Sequence, residues 1–133
     1  MNFINQKHKE FYENTLKQVE EFRKTDEYHH AFIYTLGINQ VTRRHVNEIF
    51  DLLRGEINVD SLSKNWQTGI SKKVTELAFN LWNGFPYENF EGNCVSDFYV
   101  SNLFNCSYAP YFYEAIKLRF PEYMKNSQDQ EDM

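Results

Sequence analysis

Apolar positions recur at helical spacing through most of the chain. Phe11, Thr15, Val19 and Phe22 share one face of a stretch from Gln6 to Arg23 whose other face is charged, which predicts a first helix. Asp26 caps a second, in which Tyr28, Ala31, Phe32 and Thr35 line up before Gly37 ends it. A third opens at Asn39 or Thr42, turns His45, Ile49, Leu52 and Leu53 inward and closes at Gly55. Asp60 and Ser61 cap a short helix through Trp66. Ser71 caps a strong one, with Val74, Leu77, Ala78 and Leu81 on one face and Gly84 just beyond. The stretch from Phe85 to Phe104, with Pro86, Gly92 and clustered aromatics, reads as an irregular loop with room for a short hairpin or a helical turn near Leu103. A last helix starts at Pro110 and runs to Phe120, where Pro121 stops it. The predicted fold is mainly α: a compact bundle of about five to six helices in a single domain over residues 1–126, followed by an acidic, frayed tail over residues 127–133.

Composition narrows the class. At 133 residues the chain can bury a real core but is short for two domains. Its net charge of -5 argues against a general nucleic-acid binder. The charge is uneven, however: Val41 to Lys73 holds six basic residues against four acidic ones, whereas from Val74 onward three bases face nine acids. A locally basic middle can hold a small anion. Two cysteines, Cys94 and Cys106, with no CxxC spacing form no disulfide framework and fit the reducing cytoplasm. Met1 to Glu10 has no apolar run of signal-peptide type, and no stretch approaches a membrane span, so neither secretion nor insertion is expected. Aromatic residues make up 17%, which favours pocket walls and interfaces as well as core.

The strongest candidate for chemistry is the junction Trp66-Gln67-Thr68-Gly69-Ile70-Ser71-Lys72-Lys73. A serine-capped helix start offers free N–H groups at its positive end, and two lysines in the first turn add charge. Cations there are electrostatically misplaced, so they call for an anion or a nearby carboxylate. The bland alternative is an ordinary cap with two solvated lysines. Arg43 and Arg44, in the first turn of the third helix, raise the same question, and a guanidinium fork can complete a phosphate site. Surface pairing of Arg44 with Glu48 is the competing reading. In the run Tyr108 to Tyr113, Tyr108 and Phe112 read as core, leaving Tyr111 and Tyr113 to anchor a ligand or partner. His29, His30 and His45, with Asp26 nearby, lack the spacing of a metal site, and His45 reads as a hydrogen-bonded core residue. A Cys106–His45 nucleophile pair has no local motif behind it. No catalytic residue, metal or cofactor is therefore expected.

The blocks Tyr34-Thr35-Leu36-Gly37, Asn47-Glu48-Ile49-Phe50-Asp51, Gly55-Glu56-Ile57-Asn58, Trp66-Gln67-Thr68-Gly69, Ser71-Lys72-Lys73-Val74-Thr75, Phe79-Asn80-Leu81-Trp82-Asn83-Gly84 and Cys106-Ser107-Tyr108-Ala109-Pro110-Tyr111-Phe112 are specific in combination. Together they resemble an uncharacterised family of small proteins from Gram-positive bacteria and their phages and mobile elements, over nearly the whole chain. The resemblance implies no activity. Its setting implies one class of function: small phage proteins that blunt bacterial immunity by sequestering a nucleotide signal or blocking an effector.

The expectation is thus a non-catalytic binding protein for a phosphate-bearing small molecule, in phage terms a sponge, assembled as an oligomer. Ser71, Lys72, Lys73 and Arg43 would grip charge, and Trp66 and Tyr111 would stack on a base. Two alternatives stand beside it. One is an interaction inhibitor or adaptor that docks through its aromatic, acidic C-terminal half; the other is a small hydrolase.

Overall fold

A computed structural model describes residues 1–86 and 95–124. Within them the chain is mainly α, with α1 (Gln6–Glu20), α2 (Glu27–Gly37), α3 (Gln40–Arg44), α4 (Val46–Ile49), α5 (Gly69–Asn83), α6 (Val100–Leu103) and α7 (Ala109–Arg119). Two short strands, β1 (Phe50–Asp51) and β2 (Glu56–Ile57), pair antiparallel, with Phe50 opposite Ile57 and Asp51 opposite Glu56.

The molecule is organised around α2. Every residue from Ala31 to Gly37 is buried, so the helix is apolar all round, not on the single face its period suggests. Asp26 caps it as expected, accepting from the N–H groups of Tyr28 at 3.0 Å and His29 at 3.2 Å. α1, α5 and α7 pack on it. Phe32 stands at the aromatic centre, with its ring 4.4 Å from Phe50 and 5.5 Å from Trp82. His8, on α1, is fully buried against α2: its Nδ1 accepts from the Ile4 N–H at 3.1 Å, and its Nε2–H therefore donates to the Tyr34 carbonyl at 2.7 Å. Burial holds this imidazole neutral, with its pKa pulled down to about 4.

Three expected elements end differently. α1 stops at Glu20, not Arg23, which leaves Phe22 64% exposed instead of in the core. The Arg23 guanidinium donates to the Leu53 carbonyl beside that end. The third helix does not reach Gly55. It breaks at His45, whose backbone leaves the helical region, resumes for one turn as α4 and then gives way to the hairpin. Asp51 drives this turn by accepting from the N–H groups of Leu53 and Arg54, both at 3.0 Å, and Gly55 supplies the left-handed residue at φ 67. Leu53 consequently faces out rather than in. The short helix before Trp66 is a single 3-10 turn, Val59–Ser63, capped by Asn58 rather than by Asp60 or Ser61.

α5 runs from Gly69 to Asn83 and closes on Gly84 at φ 80, as its apolar period predicts. Between Phe85 and Phe104 the described part holds a 3-10 turn (Val95–Phe98) and α6, which is the helical turn foreseen near Leu103. Part of that stretch and the tail over residues 127–133 lie outside the described residues. α7 begins at Ala109 with Pro110 in its first turn and ends before Pro121.

Candidate functional site

The start of α5 was the expected anion site, and its hydrogen bonds close inward. Thr68, not Ser71, is the N-cap: its side chain accepts from the Ser71 N–H at 3.0 Å while Ser71 Oγ accepts from the Thr68 N–H at 2.8 Å. The helix therefore starts three residues earlier than a Ser71 cap would allow. Ser71 is fully buried, and its own hydroxyl proton goes to Gln67 Oε1, so nothing of it is left for a guest. Lys73 donates from Nζ to the carbonyls of Asn102 at 2.8 Å and Asn105 at 3.3 Å, tying α5 to the end of α6.

Near these misplaced lysines the protein buries a carboxyl of its own. Glu76, one turn further along α5, is 3% exposed. Burial, aided by the charge of Asp97, pushes its carboxyl up to about 7, and Lys72 and Lys73 pull the other way. Trp66 is also engaged: its indole lies flat on the His45 imidazole, with ring centroids 4.0 Å apart and planes 3° from parallel. His45 in turn bonds Glu48 through Nδ1, which makes it a half-buried stacking partner instead of a core histidine. That bond, with help from the Trp66 indole and Lys64, holds the Glu48 carboxyl below its usual range. Glu48 is thus taken by His45, and Arg44 is exposed. Tyr111 is half-buried against the core, and Tyr113 is exposed with Lys117 over its ring at 5.2 Å.

Arg43 lies elsewhere. Because α3 is only five residues long, Arg43 and Arg44 occupy its last turn, where cations are favoured, rather than the first turn of a long helix. The Arg43 guanidinium donates through Nη1 to the Gly37 carbonyl at 2.7 Å, at the end of α2. It lines a cleft of about 510 Å³ between the start of α1 and α3, together with Gln6, Lys7, Gln40 and Tyr108. Trp66, Ser71, Lys72, Lys73 and Tyr111 are absent from that lining. The six expected site residues therefore do not form one pocket around Arg43.

The cleft has its own electrostatic logic. Two cations line it and no carboxylate does, in a protein of net charge -5. Among the described residues Arg43 has no acidic partner within ion-pair distance. Partial burial lowers its pKa, the mark of a charge held away from water without a counter-ion. Asn39 sets the wall: its Oδ1 caps α3 by accepting from Val41 and Thr42, and its Nδ2 donates to Tyr108 Oη at 3.1 Å. With that bond accepted, the Tyr108 hydroxyl still has its proton to give. Arg43, Lys7 and Tyr108 are thus donors converging on one space.

Sequence reasoning passed over Lys7 and placed Tyr108 in the core. A signal for Lys7 existed: it stands in the first turn of a 15-residue helix capped by Asn5, the same pattern that drew attention to α5. Its pairing with Arg43 is a product of the fold, since the two are far apart in the chain.

The alternatives for chemistry find other partners. His29 Nδ1 bonds Asp26 at 2.9 Å, and no group of three or more His, Cys, Asp or Glu side chains is placed to hold a metal among the described residues. Cys106 donates weakly to the Leu103 carbonyl at 3.5 Å, and His45 is directed at Glu48 and Trp66. No helix among the described residues is long and apolar enough to cross a membrane.

Compared with known proteins, residues 1–132 match the model of a family of unknown function, DUF6075. No curated protein and no solved structure matches the chain.

Proposed function

We propose that this chain, which belongs to the family of unknown function DUF6075, is a non-catalytic binding protein for a phosphate-bearing small molecule, held in the cleft of Arg43 and Lys7. One observation carries the reading: a half-buried guanidinium without a carboxylate partner among the described residues, in a cleft lined by a second cation and a hydroxyl with its proton still to give. An unpaired, partly desolvated cation is costly, and an anionic guest offsets that cost. Arg43 offers its remaining guanidinium N–H groups as a fork, Lys7 a mobile point charge, and Tyr108 a neutral donor. The volume suits a nucleotide-sized ligand.

We infer sequestration rather than turnover, because no cysteine, serine or histidine lines this cleft to act as a nucleophile or base. The physiological version we propose is a cytoplasmic sponge for a nucleotide signal, deployed by a phage or mobile element and working as an oligomer. Isothermal titration against inorganic pyrophosphate and a panel of linear and cyclic nucleotides tests it. Binding by the wild type that weakens at least about tenfold in Arg43→Gln and in Lys7→Ala supports the reading. Lack of binding at high micromolar concentration, or affinities unchanged in both variants, rejects it.

A second reading, docking of a protein through the C-terminal half, is favoured by exposed apolar residues there. Tyr99 and Val100 are 59% and 68% exposed. A pull-down that returns one stable partner, lost in Tyr99→Ser/Val100→Ser, would favour it over the nucleotide reading.

A further inference from the structure

Residues 2–5, just ahead of α1, form a strap fastened to the core at several points. The phenol of Tyr34, on α2, donates to the Asn2 carbonyl at 2.5 Å, and the Glu114 carboxylate, on α7, accepts from the Asn2 N–H at 3.0 Å. Two residues on, the Ile4 N–H donates to Nδ1 of His8, whose Nε2–H reaches the Tyr34 carbonyl. Phe3 packs between, with its ring 5.0 Å from His8, 5.6 Å from Tyr12 and 5.8 Å from Tyr34. Asn5 then caps α1 by accepting from the His8 N–H at 2.9 Å.

Asn2 is exposed, whereas Tyr34 is fully buried and Glu114 is 8% exposed. A buried hydroxyl and a buried carboxylate are costly unless bonded, and here both converge on the backbone of one exposed residue. What that backbone leads into is the α1 wall of the Arg43 cleft: Ile4, Asn5, Gln6 and Lys7 line it in unbroken sequence. Neither Tyr34 nor Glu114 lines the cleft. Without their grip on Asn2, Ile4 and the Asn5 cap would be held by His8 alone, and the turn that carries Lys7 would lose its fixed starting point.

We propose that Tyr34 and Glu114 are positioning residues for the anion site: by clamping the Asn2 backbone they hold the α1 wall, and with it the Lys7 charge, in place beside Arg43. The inference rests on the Arg43 cleft being that site. Neither residue touches the guest, and their effect passes through the strap. Clamping and occupancy therefore favour each other: an anion between Arg43 and Lys7 tightens the strap, and a loosened strap weakens the anion. A wall ordered in advance raises affinity by removing the ordering cost from the binding step.

Isothermal titration of the full chain with inorganic pyrophosphate, joined to hydrogen exchange at the Ile4 amide, tests the clamp. Affinity should fall about fivefold in Tyr34→Phe and in Glu114→Ala, the loss expected of one hydrogen bond, and recover to within about twofold of wild type in Glu114→Gln, whose amide oxygen still accepts from Asn2. Thr68→Ala, which loosens the α5 cap instead, should bind as the wild type does, and this separates clamping from general loss of stability. In the wild type, saturating pyrophosphate should slow Ile4 exchange at least about threefold. Unchanged affinity in both Tyr34→Phe and Glu114→Ala, an equal loss in Thr68→Ala, or an Ile4 amide indifferent to bound pyrophosphate would each overturn the inference and leave the cleft reading standing. A wild type that binds no pyrophosphate defeats both. If neither variant folds, the wild-type exchange decides alone.

Discussion

At the start of α5, two lysines stand next to amides and a buried carboxyl that belong to the protein itself. In the cleft between α1 and α3, an arginine and a lysine face a cavity of about 510 Å³ with no carboxylate in its lining. Both places raise the same electrostatic question, a cation where a helix begins or where water is scarce. At α5 the groups are engaged internally: Thr68 and Ser71 cap each other, Lys73 is tied to two carbonyls, and the carboxyl of Glu76, pushed by burial towards its neutral form, lies one turn further on. At Arg43 the structure supplies one carbonyl and, among the described residues, no counter-ion. A misplaced cation therefore points to a ligand only once the protein's own acceptors have been accounted for.

The comparison can be broken most forcefully at glycines. A Cβ on Gly37 would come within 2.6 Å of His8 Cδ2 and 2.9 Å of Phe11 Cδ1, where α1 leans on α2 behind the cleft. Gly37→Ala should cost about 3 kcal/mol in chemical denaturation and weaken pyrophosphate binding with it, because the carbonyl of Gly37 also anchors Arg43. Gly69→Ala, at the start of α5, meets nothing within 4 Å and should change stability by less than about 1 kcal/mol.

The two regions should also respond to pH with opposite signs. His8 is kept neutral down to about pH 4, whereas its unfolded value is 6.5. As pH falls through that window the unfolded chain takes up a proton that the native state refuses, and about 3 kcal/mol of stability is lost. Glu76 is displaced upward, from 4.5 to about 7. Between those values the native state holds a proton that the unfolded chain releases, so its contribution declines as pH rises and the full penalty applies above 7. Glu76→Gln should accordingly stabilise the protein by about 2–3 kcal/mol at pH 8 and leave it nearly unchanged at pH 4.5, measured by urea denaturation at each pH. A variant that gains nothing at pH 8 would show that Lys72 and Lys73 already offset the burial of Glu76.

Smaller effects sharpen the contrast. Thr68→Ala removes one half of the α5 capping box and should cost about 1 kcal/mol without altering pyrophosphate affinity. Lys7→Glu should move thermal stability least, within about 0.5 kcal/mol, since an acid suits the first turn of α1. It should nevertheless abolish pyrophosphate binding by placing a carboxylate in the cleft.

Two helices were legible from the chain: α5 from the spacing of Val74, Leu77, Ala78 and Leu81, and α2 from its Asp26 cap. The stretch from His45 to Leu53 was not. Its apolar spacing fits a helix, but the Asp51 side chain bonds to local amides and Gly55 takes a left-handed backbone, and these favour a hairpin that periodicity does not encode. Phe22 was misplaced for a related reason, since α1 ends where Arg23 reaches across to Leu53, a contact thirty residues distant in the chain. The candidate site was half legible. Arg43 could be picked out because cations near helix ends are conspicuous, but Lys7 and Tyr108 join it only through packing of α1 and α7 around α2. Glu76 was hidden by ordinary helical spacing, one turn from Lys72 and Lys73.

Nuclear magnetic resonance of the labelled protein, titrated with inorganic pyrophosphate and followed at the Arg43 side-chain Nε–H, the Lys7 amide and the amides of Gly69 and Ile70, sets the two regions against each other in one experiment. Saturable shifts at Arg43 and Lys7, with Gly69 and Ile70 still, are the predicted result. Shifts centred on Gly69 and Ile70, or none at Arg43 as pyrophosphate reaches millimolar concentration, would contradict it.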